Sequence, residues 1–505
     1  MRLSLYLILF TCVFLLKSCS HISEKDFIVL NFNWDSIPNQ SWLGYNFWCN
    51  SFSDWKVENH KAIAYPFFKK RRTAHITSHK IAKDNGSLTI SAKIKLFGKV
   101  KDDSSAVFGF LIGAGDSSLE NRTNNFVFNT LSPGECHLLG IKSSGDIILK
   151  DYKEDTILHL FKFDEKVKKI LLNQLYKEGL NFEFKYLPEK KCIHFLIRGN
   201  NLVSQETFTF PKTLSCPKGN IALFYDSKTP FTANASFDDI KISGSAISKI
   251  KTNSIVSPIL SSFYTNTIDS LFITVQLMPF NPNGGVKLKI TGKESITYEG
   301  VFDSTNYQLR FRVELPSKFK KIQYKLYYTG PQSQYKNIRK GVILSKPINS
   351  NPKLMALNCN GFTFFHSGGI DYKNLFYPYR KIEEGYKEHQ PDVLAFLGDQ
   401  IYESRPEMAI YKEPFCNLDY LYKWSIWCYS FRALTLNQPT IIMTDDHDVF
   451  QGNIWGNGGV PAKTSTIDKI PSYYGKWNYD TWQQDNGGYF MSKGFVNMVN
   501  RSQTS

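Results

Sequence analysis

Three short peptides concentrate the residue types that do chemistry in this chain. They are Asn358-Cys359-Asn360, Gly398-Asp399-Gln400-Ile401-Tyr402-Glu403 and Thr444-Asp445-Asp446-His447-Asp448. Between them they offer a thiol, carboxylates, a phenol and an imidazole. Each follows a short apolar run: Leu354-Met355-Ala356-Leu357, Val393-Leu394-Ala395-Phe396-Leu397 and Thr440-Ile441-Ile442-Met443. Such runs predict buried strands of an α/β fold, in which ligands collect outside the carboxyl ends of the strands. Donors of these types at one sheet edge point to a metal site.

Asp399 carries the strongest case. A carboxylate just after Gly398 can reach two cations with its two oxygens, and the glycine admits close backbone approach. Tyr402 lies one turn further on, able to face the same side. A free phenol has a pKa of about 10, so it ionises near neutrality only beside a strong Lewis acid. Cys359, as a thiolate, suits the softer, higher-charge metal of a pair. His447 adjoins Asp446 too closely to face the same way in a strand. The same residues also admit structural roles: a helix N-cap for Asp399, a packed ring for Tyr402, a buried thiol for Cys359.

Taken in order, each after a strand, the three peptides resemble the PhoD-like branch of the calcineurin-type metallophosphatases, the alkaline phosphatase D family. The resemblance covers Pro352 to Ser505, the first half of that family's domain. It implies a dinuclear centre, ferric iron plus calcium, that hydrolyses a phosphate ester. Cys359, Asp399, Tyr402, Asp445 and Asp446 are then the metal ligands, with Asp399 bridging. His447 faces the substrate, and Asp448 orients its imidazole. Asn360 and Trp455, the latter in a Gly-rich stretch from Gly452 to Gly459, are the substrate-contact candidates. Gln400 and Glu403 are supporting candidates. The family's late Gly-Asp-x-His peptide has no counterpart, because no histidine follows Asp448. The expectation is a partial α/β metallophosphatase domain over 352–505, completed by a further segment or inactive as it stands. The alternative is a non-enzymatic surface glycan-binding or adhesin lipoprotein with a vestigial catalytic half.

The elements ahead of this region read as β structure. Over 26–246, Leu88, Ile90, Ala92, Ile94 and Leu96 alternate after an Asn85-Gly86 turn, and Ala106 to Ile112 is continuously apolar. Ala235 to Ile242 resembles the closing strand of a concanavalin/laminin-G-like jelly roll, with Phe237 inward and Asp238-Asp239 outward. That resemblance implies a possible glycan ligand or a spacer. Over 254–347, Leu271, Ile273, Val275 and Leu277 alternate, as do Leu309, Phe311 and Val313, and Ile322, Tyr324, Leu326 and Tyr328. Short antiparallel strands over this length predict an immunoglobulin/fibronectin-III-like β-sandwich. The expected fold class is therefore multidomain: an N-terminal jelly-roll β-sandwich, a middle sandwich and the α/β unit.

Residues 1–19 read as a targeting segment. Arg2 precedes an apolar stretch too short for a comfortable membrane span, and Leu16-Lys17-Ser18-Cys19 resembles a bacterial lipobox. Lipidation of Cys19 would anchor an exported protein at the cell envelope, membrane-attached without spanning. Seven cysteines follow Cys19 with no CxxC pair, which argues against a zinc ribbon. Cys192 with Cys216 is one conceivable disulfide, and sequence leaves the pairing open. The charge balance, 61 Lys+Arg against 45 Asp+Glu, is strongly basic. The lysines are nevertheless scattered through strands, and no basic cluster interleaved with aromatics makes a nucleic-acid-binding motif.

Overall fold

The computed structural model describes residues 27–65, 72–98, 106–114, 136–151, 156–200, 202–209, 216–227, 234–250, 256–291, 295–316, 319–330, 338–345, 351–361, 379–404, 408–450 and 491–504. Cys19 and Trp455 lie outside them.

Two eight-stranded antiparallel sheets face each other in the N-terminal part. Strand Leu88–Phe97 buries every second side chain, and Val107–Ala114 is buried throughout. The first is a sheet with one face inward; the second is covered on both sides. Asn234–Gly244 pairs with Leu88–Phe97 and carries Phe237 into the core against Trp55 and Phe110. Asp238 faces outward to Lys61, 3.0 Å away. Asp239, at φ +47°, sits in a bulge that restores the alternation at Ile240 and Ile242.

One element departs from the all-β expectation for this region. Glu165–Lys177 is a helix, capped by the Asp164 carboxylate on the Val167 amide at 2.9 Å, with Leu171 and Leu175 buried. Its straight-chain residues favour helix, and the cap fixes its start. Cys192 and Cys216 are buried free thiols.

Between Ile259 and Leu344, two four-stranded antiparallel sheets bury the expected alternating residues, Leu271, Ile273, Val275, Leu309, Phe311, Val313, Tyr324 and Leu326. Beyond them comes a three-stranded parallel sheet: β1 (Leu354–Leu357), β2 (Val393–Leu397) and β3 (Thr440–Met443), with β2 central. The crossovers contain α1 (Tyr379–His389) and α2 (Phe415–Thr435). A final helix, α3 (Lys493–Gln503), starts at Ser492, whose Oγ caps the Phe495 amide.

α2 is buried on nearly all sides, which accounts for its run of Tyr420, Trp424, Trp427, Cys428 and Phe431 with no polar face. It lies between the parallel sheet and the sandwich that precedes it. Phe396 of β2 packs edge-on against Trp427, whose indole stacks on Trp424 at 4.4 Å. Trp424 Nε1 donates to Gln276 Oε1 at 2.9 Å, and Tyr324 Oη donates to the Leu436 carbonyl at 2.7 Å. A single hydrophobic cluster thus runs from Phe311 and Tyr324 through α2 to Phe396 and Ile442. The strands that deliver the candidate site are held by this shared core.

Candidate metal centre

The three peptides leave the same, carboxyl edge of the parallel sheet, because parallel strands in register point their ends the same way. After β2 the chain turns through two left-handed residues, Gly398 at φ +111° and Asp399 at φ +50°. A Cβ at Gly398 would lie 2.5 Å from Asp445 Cβ, so only glycine lets the second and third loops approach this closely. The first loop is tied to the second by Cys359 N to the Gly398 carbonyl (3.2 Å) and Asn360 N to the Asp399 carbonyl (2.8 Å). Cys359 is itself left-handed, at φ +55°. Cys359 and Asp399, two non-glycine residues held this way on neighbouring loops, store strain of about 1–3 kcal/mol each, of the kind that collects at functional sites.

Asp399 stands at the centre. Its Oδ2 accepts from Tyr402 Oη at 3.1 Å and from Cys359 Sγ at 3.6 Å. Its Oδ1 is buried and has no hydrogen-bond partner. One donor atom each from Asp399, Asp445 and Asp446 lie within 4.8 Å of one another. Asp446 N donates to Asp445 Oδ1 at 2.9 Å, which fixes the second carboxylate beside the third. The Tyr402 ring lies 4.3 Å from the imidazole of His447.

The electrostatics follow from that crowding. Burial lifts the Asp399 carboxyl above its usual range; the charge of His447 opposes this, and Asp446 and Asp445 add repulsion. For the Cys359 thiol, the Tyr402 hydrogen bond pulls down, but burial and the Asp399 and Asp445 carboxylates carry it up. Tyr402 is raised by burial, then by Cys359 and Asp399. By themselves, then, thiol and phenol hold their protons near neutrality; a cation among these donors reverses that balance. The donor set and the orphaned Oδ1 fit such a cation.

His447 is governed by a residue from the second loop. Burial works against its charge, yet the 2.7 Å contact of Nδ1 with Glu403 Oε2, helped by Asp399 and Asp446, raises its pKa to about 9. The ring is an imidazolium at neutral pH, with Nδ1–H donating to Glu403. This corrects the role expected for Asp448. His447–Val449 forms a 3₁₀ turn, whose successive side chains diverge by about 120°. His447 is turned toward Tyr402, while Asp448 is turned into the interior and is fully buried. There its carboxylate accepts from Asp445 N (3.0 Å), Ile401 N (3.2 Å) and Gln503 Nε2 (2.9 Å). Burial pushes its pKa up to about 7, against the pull of those donors.

Cys359, Asp399, Tyr402, Asp445, Asp446 and His447 are therefore brought together. Asn360 adjoins them, largely buried, with its Nδ2 unpartnered. Gln503 was not foreseen. Its signal was a polar residue on the apolar face of α3, eight positions after Phe495 and four after Val499.

No family model and no curated protein matches the chain. Among solved structures, that of PhoD is 18% identical, with a TM-score of 0.29, covering 41% of this chain and 42% of that one. The chain thus spans well under half of that structure's length. Peanut lectin with a nine-residue peptide (10% identical, TM-score 0.31) matches 45% of this chain over 99% of its own. Lectin II from Ulex europaeus (12%, TM-score 0.31) matches 43% over 98%. At these TM-scores the likenesses carry nothing about what this chain binds or does.

Proposed function

We propose that this edge is a metal-dependent phosphoric ester hydrolase site. The observation that carries the reading is the convergence of Asp399, Asp445 and Asp446 around one point, with the thiol of Cys359 and the phenol of Tyr402 on the same carboxylate. Cys359, Asp399 and Tyr402 would hold a cation of higher charge, of the ferric type; Asp399, Asp445 and Asp446 would hold a harder one such as calcium. Cations so held supply Lewis acidity toward water and toward phosphoryl oxygens.

The remaining steps belong to the chain. Glu403 holds His447 by Nδ1, so the Nε2 proton is the one free to act. An imidazolium there neutralises a phosphoryl oxygen and gives its proton to the departing alkoxide or phenolate oxygen. Asp399 would belong to both sets of ligands, its Oδ2 facing the thiol and the phenol while Oδ1 is unpartnered. No side chain needs to be phosphorylated.

The glycan-binding alternative calls for exposed rings on which a sugar can stack. Among the described residues of the N-terminal sandwich, Phe27 is the one large aromatic counted as exposed, so no specific observation favours it. The test is hydrolysis of p-nitrophenyl phosphate and bis(p-nitrophenyl) phosphate by the full chain with ferric and calcium ions. Turnover that Asp399→Asn lowers by about a hundred-fold or more supports the reading. Turnover indifferent to Asp399→Asn and to chelator, or none under any metal loading, overturns it.

A further inference from the structure

α3 reaches the candidate centre through one side chain. Gln503 is almost fully buried, and both of its amide hydrogens and its amide oxygen are engaged. Its Nε2 donates to Asp448 Oδ1 at 2.9 Å and to Tyr420 Oη at 3.1 Å, and its Oε1 accepts from Gln400 Nε2 at 3.1 Å. Gln400 Nε2 in turn donates to the Met443 carbonyl at the end of β3, at 2.6 Å. Asp448 holds two backbone amides, Ile401 from the second loop and Asp445 from the third. A carboxylate so buried needs donors on both oxygens. Ile401 N serves Oδ1 and Asp445 N serves Oδ2; the Gln503 amide adds a second donor to Oδ1 and lies closer than the other side-chain donor, Gln400 Nε2, at 3.4 Å from Oδ2.

We infer that Gln503 is a positioning residue for the metal centre: by locking Asp448, it sets the spacing between the loop that carries Asp399 and the loop that carries Asp445 and Asp446. The inference rests on the cation-site reading above. The lock spans the gap that matters, since Ile401 is two residues from Asp399 and Asp445 is itself one of the clustered carboxylates.

The helix that presents Gln503 is anchored elsewhere. Gln308 Nε2 donates to the Ser502 carbonyl at 2.6 Å, and Arg310 Nη2 to the Arg501 carbonyl at 2.9 Å. Arg501 also pairs with Asp303 at 2.5 Å. All three partners stand on the middle sandwich. Thr444 Oγ1 donates to Asn500 Oδ1 at 2.9 Å, one turn before Gln503. The end of α3 is thus pinned to the middle sandwich on one side and to the third loop on the other. That makes Gln503 a fixed reference for Asp448.

Gln503→Met keeps the side-chain volume and removes the amide. Two readouts on the full chain test it: terbium(III) luminescence titration, and amide hydrogen exchange at Ile401 and Asp445. Val499→Ala, a cavity one turn earlier on the same helix that leaves the Gln503 amide in place, controls for simple destabilisation. Expected are terbium binding weakened roughly ten- to a hundred-fold by Gln503→Met, with faster exchange at both amides. Val499→Ala should lower the melting temperature and leave terbium affinity as it was. Unchanged affinity and exchange in Gln503→Met overturn the positioning role, as does an equal loss of affinity in Val499→Ala. Failure of the unaltered chain to bind terbium would instead strike the cation-site reading, while the exchange data still report whether Gln503 holds the loops.

Discussion

Glu403 Oε2 lies 2.7 Å from His447 Nδ1, although 44 residues separate the two, while Asp448, next in sequence to His447, turns the other way. The contact joins the second loop to the third through the imidazole. It makes Glu403, not Asp448, the group that sets the charge and orientation of that ring.

Removing the partner should therefore lower the histidine's pKa. In cation-free protein, His447 titrates near 9, and Glu403→Gln should move it toward the ordinary value of about 6.5. A folded pKa above the unfolded one means the pair's stabilisation is complete below about pH 6.5 and fades as pH rises through 9. The Glu403→Gln variant should accordingly lose stability at pH 6 and approach the unaltered chain above pH 9. NMR titration of the imidazole with denaturant melts at the two pH values checks both. An unmoved pKa contradicts the assignment.

Gly398→Ala tests the approach of the loops. The substitution must place a Cβ 2.5 Å from Asp445 Cβ at a backbone angle of φ +111°. Overpacking and a left-handed alanine together should cost about 2–4 kcal/mol and displace the third loop. Terbium affinity should fall with it, read by the same luminescence titration. A variant as stable as the parent would show that the loops have slack.

The shared core predicts joint unfolding of the middle sandwich and the parallel sheet. Trp424→Phe removes one of the two donors to Gln276 Oε1, the other being Gln308 Nε2, a loss of about 0.5–1.5 kcal/mol inside that core. Chemical denaturation followed by exchange at Leu309 and Phe396 should shift at both positions by the same amount. A shift at only one position would mean the two halves melt apart.

In the N-terminal sandwich, His75 is fully buried, and burial holds its pKa down at about 3. The unfolded chain binds a proton there below about pH 6.5 and the folded chain does not. Stability should therefore fall as pH drops from 6.5 toward 3, by up to ~1.4 kcal/mol per pH unit from this group. His75→Gln should flatten that part of the slope in denaturant melts at pH 7 and pH 5. An equal slope in both proteins would contradict it.

Much of this was legible in the chain. Period-two patterns such as Leu271-Ile273-Val275 mark strands because one sheet face must be apolar. The three apolar runs ahead of Cys359, Asp399 and Asp445 announce parallel strands whose ends share an edge, but they are not buried throughout: Leu354, Leu397, Ile441 and Met443 are exposed. What stayed hidden depended on local turn geometry and on distant packing. Nothing around His447 signals a 3₁₀ turn that sends Asp448 inward, so the neighbour in sequence stood in for the neighbour in space. Helix Glu165–Lys177 lies in a region dominated by strand patterns, and its Asp164 cap was the readable cue. Gln503 meets Asp448 only because α3 folds back over the third loop, a contact between residues 55 apart.

The most direct test is metal content. The full chain, dialysed against metal-free buffer after loading with ferric and calcium ions, should retain tightly bound metal by plasma mass spectrometry. Asp399→Asn should lose most of it, because that carboxylate accepts from the thiol and the phenol and lies within 4.8 Å of oxygens of the other two aspartates. Metal retained equally by parent and variant, or by neither, would contradict a centre built on Asp399.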